Sequence, residues 1–198
     1  MPDYQAHDEE ILKLRQLSRS LEQLPPQHQR LIAELVVLRL FDLFVNLISA
    51  VALKLACGRP YADGTVPNLL MKARSSADAE RLCKAHNRRT PLKWLTWTSA
   101  RNIKKAIGEV IDKNDPVVKA VDSGTTLIGE MRRVRNRIAH RSRDSRKQFR
   151  EVVRLHYGAY LNNVTPGVLL LTKRKKPPLL QSYIDQERLL AKAIVRAP

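Results

Sequence analysis

Residues 31–58 read LIAELVVLRLFDLFVNLISAVALKLACG, and this run decides the fold class. It carries no Pro and no Gly until Gly58, and it is far longer than a β-strand, so it predicts a helix of about Gln27 to Cys57. Pro25-Pro26 precedes it; Gly58 and then Pro60 follow it. A Gly just past a helix end, with Pro shortly after, is a stop signal because neither continues helical hydrogen bonding well. The middle of the run is apolar nearly all round, as the central helix of a bundle is. Its charged residues are Glu34, Arg39, Asp42 and Lys54, which leave 11 uncharged residues between Asp42 and Lys54. That is too short for a bilayer core, so a buried helix in a cytoplasmic protein is expected, with no membrane partner.

Working outward, the spacing of Ile11, Leu14, Leu17, Leu21 and Leu24 predicts a first helix over about residues 8–24, stopped by the two prolines. Gly58 to Pro67 reads as loop, and a short helix is expected around Asp78–His86. Thr90-Pro91 and Asp115-Pro116 both read as helix starts, a capping side chain before a proline. The first predicts helix to about Lys113, broken near Thr98. The second predicts a helix interrupted at Ser123-Gly124, after which a further one runs over about 125–140. Ser142 or Asp144 caps the next, with Phe149, Val152, Val153 and His156 on one face. A connection follows from Gly158 to Pro178, in which Val168–Leu171 reads as packed or as a short extended piece. A last helix uses Leu180, Ile184, Leu190 and Ile194. The expected architecture is all-α: one domain over residues 1–198, a bundle of long antiparallel helices, with a basic connection and helix over 158–198.

Composition agrees and adds charge. Only 7 Gly and 5% aromatics in 198 residues favour helix over sheet. Two cysteines, Cys57 and Cys83, fit neither a metal-ligand spacing nor a disulfide framework. The net charge of +17 predicts a polyanion as partner. Much of it is concentrated: residues 131–150 hold nine Arg or Lys against one acid, Asp144. A second basic knot is Lys173-Arg174-Lys175-Lys176.

Inside the first cluster, residues 131–142 read Met-Arg-Arg-Val-Arg-Asn-Arg-Ile-Ala-His-Arg-Ser. Leu127, Met131, Val134 and Ile138 make a helical apolar stripe leading into it. Asn136 and His140 are four apart and share a face if the helix persists, while Arg135 lies about 100° round from Asn136. The pair Arg135 and His140 thus projects from a helix end. On composition alone these are cations complementing a helix C-terminus. Other Arg/His pairs at like spacing, Arg81 with His86 and Arg150 with His156, do not carry both the Asn and the small residue before His. Arg135-Asn136, then His140 preceded by Ala139, resembles the signature of the HEPN superfamily, in which an Arg followed by a polar residue precedes a His by four to six residues. The likeness extends over roughly 27–157 and is strong at 131–142. Some family toxins carry a Tyr two residues after the His that a partner enzyme modifies; Ser142 stands there here.

The resemblance implies a HEPN-like helical bundle and a metal-independent endoribonuclease, a toxin or phage-defence effector that needs no cofactor. His140 would accept the proton of a ribose 2′-hydroxyl, which then attacks the adjacent phosphate. Arg135 would stabilise the charge growing on phosphorus, and Asn136 would orient His140 or donate to a phosphate oxygen. Arg132, Arg133, Arg137, Arg141, Arg143, Arg146 and Lys147 are the expected RNA contacts, with Asp42 and Asn46 as support from the central helix. The resemblance also implies a homodimer whose two motifs face one cleft, and a cognate antitoxin as partner. Net charge by itself fits a second class equally, a non-catalytic helical module that binds RNA or another polyanion; a protein-binding scaffold is the third.

Overall fold

A computed structural model describes residues 2–174 and 176–196. The described residues form helices and irregular connections, with no strand beyond a single antiparallel bridge between Leu69 and Ile111. The protein is all-α.

The long apolar run forms α2, Pro26–Ala56, and Pro26 opens it at a position where a missing N–H costs nothing. Gly58, at φ 77°, ends it in the left-handed region that suits glycine. By length and composition α2 is apolar enough to cross a membrane. In the fold it is instead surrounded by other helices and buries Val37, Leu40, Phe44, Ile48, Val51 and Leu55 among them. Against it packs α1, Pro2–Ser20, joined by a 3-10 turn at Leu21–Gln23. This helix starts six residues earlier than its apolar spacing predicts, because its first turns face the last helix, where His7 is buried. Leu17, placed on the core stripe by spacing, is exposed; Ser18 faces the neighbouring helix in its stead and is hydrogen-bonded to Gln181.

Two further helices follow: α3, Ser76–Ala85, and α4, Ala100–Ile107, each capped by a serine hydroxyl, Ser75 and Ser99. The helix expected from Thr90-Pro91 does not form. Residues 87–98 are irregular, because Leu92 N–H donates back to the Lys84 carbonyl at 2.8 Å and Trp97 turns into the core. Nor does helix reach Lys113; α4 stops at Gly108, and Ile111 is drawn to Leu69. Asp115 caps α5, Pro116–Ser123, as its Asp-Pro pair predicts. Its buried carboxylate accepts from Val117 N–H, from Asn68 N–H at 2.7 Å and from the Tyr61 hydroxyl. Burial and that carboxylate raise the Tyr61 phenol far above its ordinary range.

The motif helix is α6, Thr125–Ala139, and α7 is Arg143–Tyr157, capped by Ser142. The segment expected as packed or extended is a short helix, α8, Pro166–Leu170. It docks on α2 through Gly167 N–H, which donates to Glu34 Oε1 at 2.9 Å. The last, α9, Leu179–Val195, buries Leu180, Ile184, Leu190 and Ile194 and packs on α1, α2, α5 and α6. The paired residues run in opposite order along α1 and α9: Asp8 meets Arg188, and Ser18 meets Gln181. The two helices are therefore antiparallel neighbours. One contiguous apolar cluster, from Ile11 to Val195, forms the core. Lys175 of the second basic knot, and residues 197–198, lie outside the described residues.

Candidate functional site

The apolar stripe predicted for α6 is what seats it. Leu127, Met131 and Val134 are buried and Ile138 is half-buried, so the helix presents its other sides outward. Its start passes close to α9 at Gly124, where a Cβ would lie 2.7 Å from Leu190 Cδ2, so a larger residue there would require the Leu190 side chain to shift. Its end is a tight corner. His140 N–H still donates to the Asn136 carbonyl at 2.9 Å, but His140 itself is extended, with φ −133° and ψ 128°. Three residues later α7 begins. The corner is held by Ser145, whose buried hydroxyl lies 2.7 Å from the His140 carbonyl and 3.0 Å from the Ser142 carbonyl.

His140 is therefore fixed by its backbone while its imidazole projects into solvent. Among the described residues it makes no side-chain hydrogen bond. Arg135 differs from the expected projecting pair. It is half-buried, and its Nε is enclosed without an acceptor. A long side chain lays its methylenes along neighbouring apolar surface and so draws the inner guanidinium atom in with them. Arg137 shows the same pattern, with Nη1 enclosed and unpaired. Five residues of helix place Arg135 and His140 about 140° apart and about 7.5 Å along the axis, so they share an end of α6 but not a face. Asn136 is half-buried, without a side-chain hydrogen bond.

The electrostatics of this end are one-sided. Arg132 is half-buried, while Arg133, Arg141, Arg143, Arg146 and Lys147 are exposed. Among the described residues none of the nine cations of residues 131–150 has an ion pair, although Arg15, Arg39, Arg81, Arg154, Arg188 and Arg196 elsewhere do. The single acid, Asp144, accepts instead from Gln148 at 2.7 Å. Asp42 and Asn46 are exposed on α2, and no hydrogen bond connects either side chain to the motif. Among the described residues no group of His, Cys, Asp and Glu is arranged to hold a metal ion.

The other Arg/His spacings do not form pairs. Arg81 is held by Asp78 at 2.6 Å, and Arg150 lies over the Tyr160 ring. His156 is buried, its Nε2 2.8 Å from Glu130 Oε2, which also accepts from the Tyr183 hydroxyl at 2.9 Å. Burial and the neighbouring carboxylate raise the Tyr183 phenol well above its usual value. His156 Nδ1 is enclosed without a partner. The three side chains line part of a cavity of about 330 Å³ between α6 and α9. This polar cluster was missed in the sequence. Its signal was a glutamate at the edge of the α6 stripe and a histidine on the apolar face of α7, and their pairing depends on how those helices pack.

Compared with protein-family models, with curated proteins and with solved structures, the chain matches none.

Proposed function

We propose that the protein is a metal-independent endoribonuclease of HEPN type, with its reacting groups at the α6–α7 corner. The observation that carries this is a histidine set at a helix end inside nine cations that have no acid partner among the described residues. Cations without acid partners leave their open N–H groups to a ligand, and a phosphate oxygen is the acceptor that such a surface invites.

In the proposed step the His140 imidazole takes the proton of a ribose 2′-hydroxyl. The 2′-oxygen attacks phosphorus, the bond from phosphorus to the 5′-oxygen breaks, and that oxygen leaves with a proton. Products are a 2′,3′-cyclic phosphate and a 5′-hydroxyl. Arg135 stabilises the charge gathering on the phosphoryl oxygens. Because Arg135 and His140 leave α6 on different sides, one copy offers a base and a phosphate clamp without an acid beside them. A homodimer with a composite site would bring a second His140 to protonate the leaving oxygen. A role as a toxin or phage-defence effector in the cytoplasm, opposed by an antitoxin, belongs to the same proposal.

A second reading, a helical module that binds RNA without cutting it, is favoured by the absence of any hydrogen bond orienting the His140 side chain. Labelled RNA incubated in chelator with wild type and with His140→Ala separates the two. Cleavage by wild type, lost in His140→Ala at unchanged RNA affinity and helical spectrum, is the expected result. A 2′-deoxy substitution at the scissile position should also block it. Equal cleavage by both proteins would move the chemistry elsewhere; binding without cleavage by either would select the module.

A further inference from the structure

Between α3 and α4 lies a second cationic surface that differs from the first in carrying an aromatic ring. From Arg81 through Gly108 the chain has eight Lys or Arg and no Asp or Glu. Arg81, Lys84 and Lys104 are paired with Asp78, Glu80 and Asp122. Arg88 is spent on backbone carbonyls, its Nε donating to Cys83 at 3.2 Å and its Nη2 to Ala106 at 3.3 Å. Arg89, Lys93, Arg101 and Lys105 have no acid partner among the described residues. Between Arg89 and Arg101 in the sequence stands Trp94, which is 71% exposed.

That exposure is built in. The irregular segment 87–98 is tied down on both sides of the ring: Leu92 N–H donates to Lys84, Leu95 packs on the core, and Trp97 is 9% exposed. With its neighbours anchored, Lys93-Trp94 forms a short protrusion that displays the indole. The Lys93 ammonium stands 5.9 Å from the ring centroid, at the outer limit of a cation–π contact. A tryptophan that merely lacked a place in the core would expose its ring on a mobile loop or in a wider apolar patch. Here the residues on either side of the protruding pair are fixed, and the unpaired charges that flank it along the chain are of one sign. Single-stranded nucleic acid has what this surface lacks, a π-face on every base and a phosphate for every base.

We propose that Trp94 is a stacking platform for one unpaired base of single-stranded RNA, with Lys93, Arg89 and Arg101 holding the flanking phosphates. This rests on the reading of the protein as RNA-binding and assigns it a second contact point, one that selects unpaired over duplex RNA. A base in a duplex has both faces covered by its neighbours, so the ring gains nothing from it.

The test uses His140→Ala protein, so that bound RNA would survive, with a short oligouridylate and a duplex RNA of equal length as probes. The chain has two tryptophans, and Trp97 is buried, so quenching on titration reports on Trp94. Quenching by the oligouridylate is expected. Trp94→Ala should weaken oligouridylate binding roughly 5- to 100-fold, leave duplex binding and the melting curve unchanged, and be largely rescued by Trp94→Tyr. An oligouridylate that binds Trp94→Ala as tightly as it binds the parent would overturn the platform, while its loss in Arg141→Gln/Arg143→Gln would leave the wider RNA reading standing. If the parent binds neither probe, the RNA reading itself fails. A Trp94 emission shift with vesicles of anionic phospholipid and none with RNA would assign the ring to a membrane surface and overturn the proposal.

Discussion

At the level of single residues the proposed chemistry depends on guanidinium shape more than on charge. Arg135 has one N–H enclosed and unpaired while the rest of its fork stays partly open. Arg135→Lys keeps the positive charge but loses the planar pair of donors that fits two phosphate oxygens. Turnover is expected to fall by about a hundredfold, as on removal of one oxyanion donor, with RNA affinity nearly unchanged; single-turnover cleavage beside equilibrium binding checks this. Full activity in Arg135→Lys would reduce that residue to one more phosphate contact. The spacing of Arg135, Asn136 and His140 was plain in the sequence because it lies within one helix. The enclosure of Arg135 Nε was not, nor was the meeting of Glu130, His156 and Tyr183, since those three come from α6, α7 and α9.

Among the elements, the α6–α7 corner is the part on which the site most depends. Ser142 caps α7 and was readable as a cap. Ser145 was not readable as a strut, yet its hydroxyl reaches the His140 carbonyl and so bears on where the imidazole starts. Ser145→Ala removes that hydrogen bond and is expected to lower stability by about 1 kcal/mol. As Ser145 acts through His140 and not on substrate, turnover should drop while KM holds, and Ser145→Thr should restore part of it; a change in KM alone would show that the corner merely binds. The contrast between Thr90-Pro91 and Asp115-Pro116 has a similar lesson. Both have the local chemistry of a helix start, but Asp115 gains buried partners in Tyr61 and Asn68, whereas after Thr90 the burial of Leu95 and Trp97 pulls the chain out of helix. Local signals set where a helix can begin, and long-range burial decides whether it does. The same holds for α8: a five-residue helix gains little by itself, and its contact with Glu34 comes from 133 residues away.

On the scale of the whole molecule, charge and burial give two measurable consequences. If the 131–150 surface carries RNA, Arg141→Gln/Arg143→Gln should weaken affinity and flatten its dependence on salt by roughly one unit of log–log slope per lost phosphate contact. Turnover at saturating RNA should persist, and an unchanged slope would mean that these arginines face bulk solvent in the complex. The second consequence concerns the α1–α9 contact, where Glu187 is fully buried with His7 Nε2 3.0 Å away but poorly aligned for a hydrogen bond. Burial raises the Glu187 carboxyl above its ordinary 4.5. Between that value and the raised one, the folded chain holds a proton that the unfolded chain has released, so stability falls as pH rises through the interval. Glu187→Gln does not titrate, and its melting temperature minus that of wild type should grow as pH climbs from about 4.5 and then level off. A difference that shrinks instead would mean His7 more than offsets the burial. The antiparallel seating of α9 against α1 also bears on how the chain comes into being. Translation delivers α1, α2 and the motif helix first, yet the wall that covers them, including Tyr183 against Glu130 and Leu190 against Gly124, leaves the ribosome after them. A nascent chain stalled before residue 179 therefore shows chaperones and proteases an uncovered apolar helix pair, and the Gly124 end of α6 gains its native cover only once synthesis has passed α9.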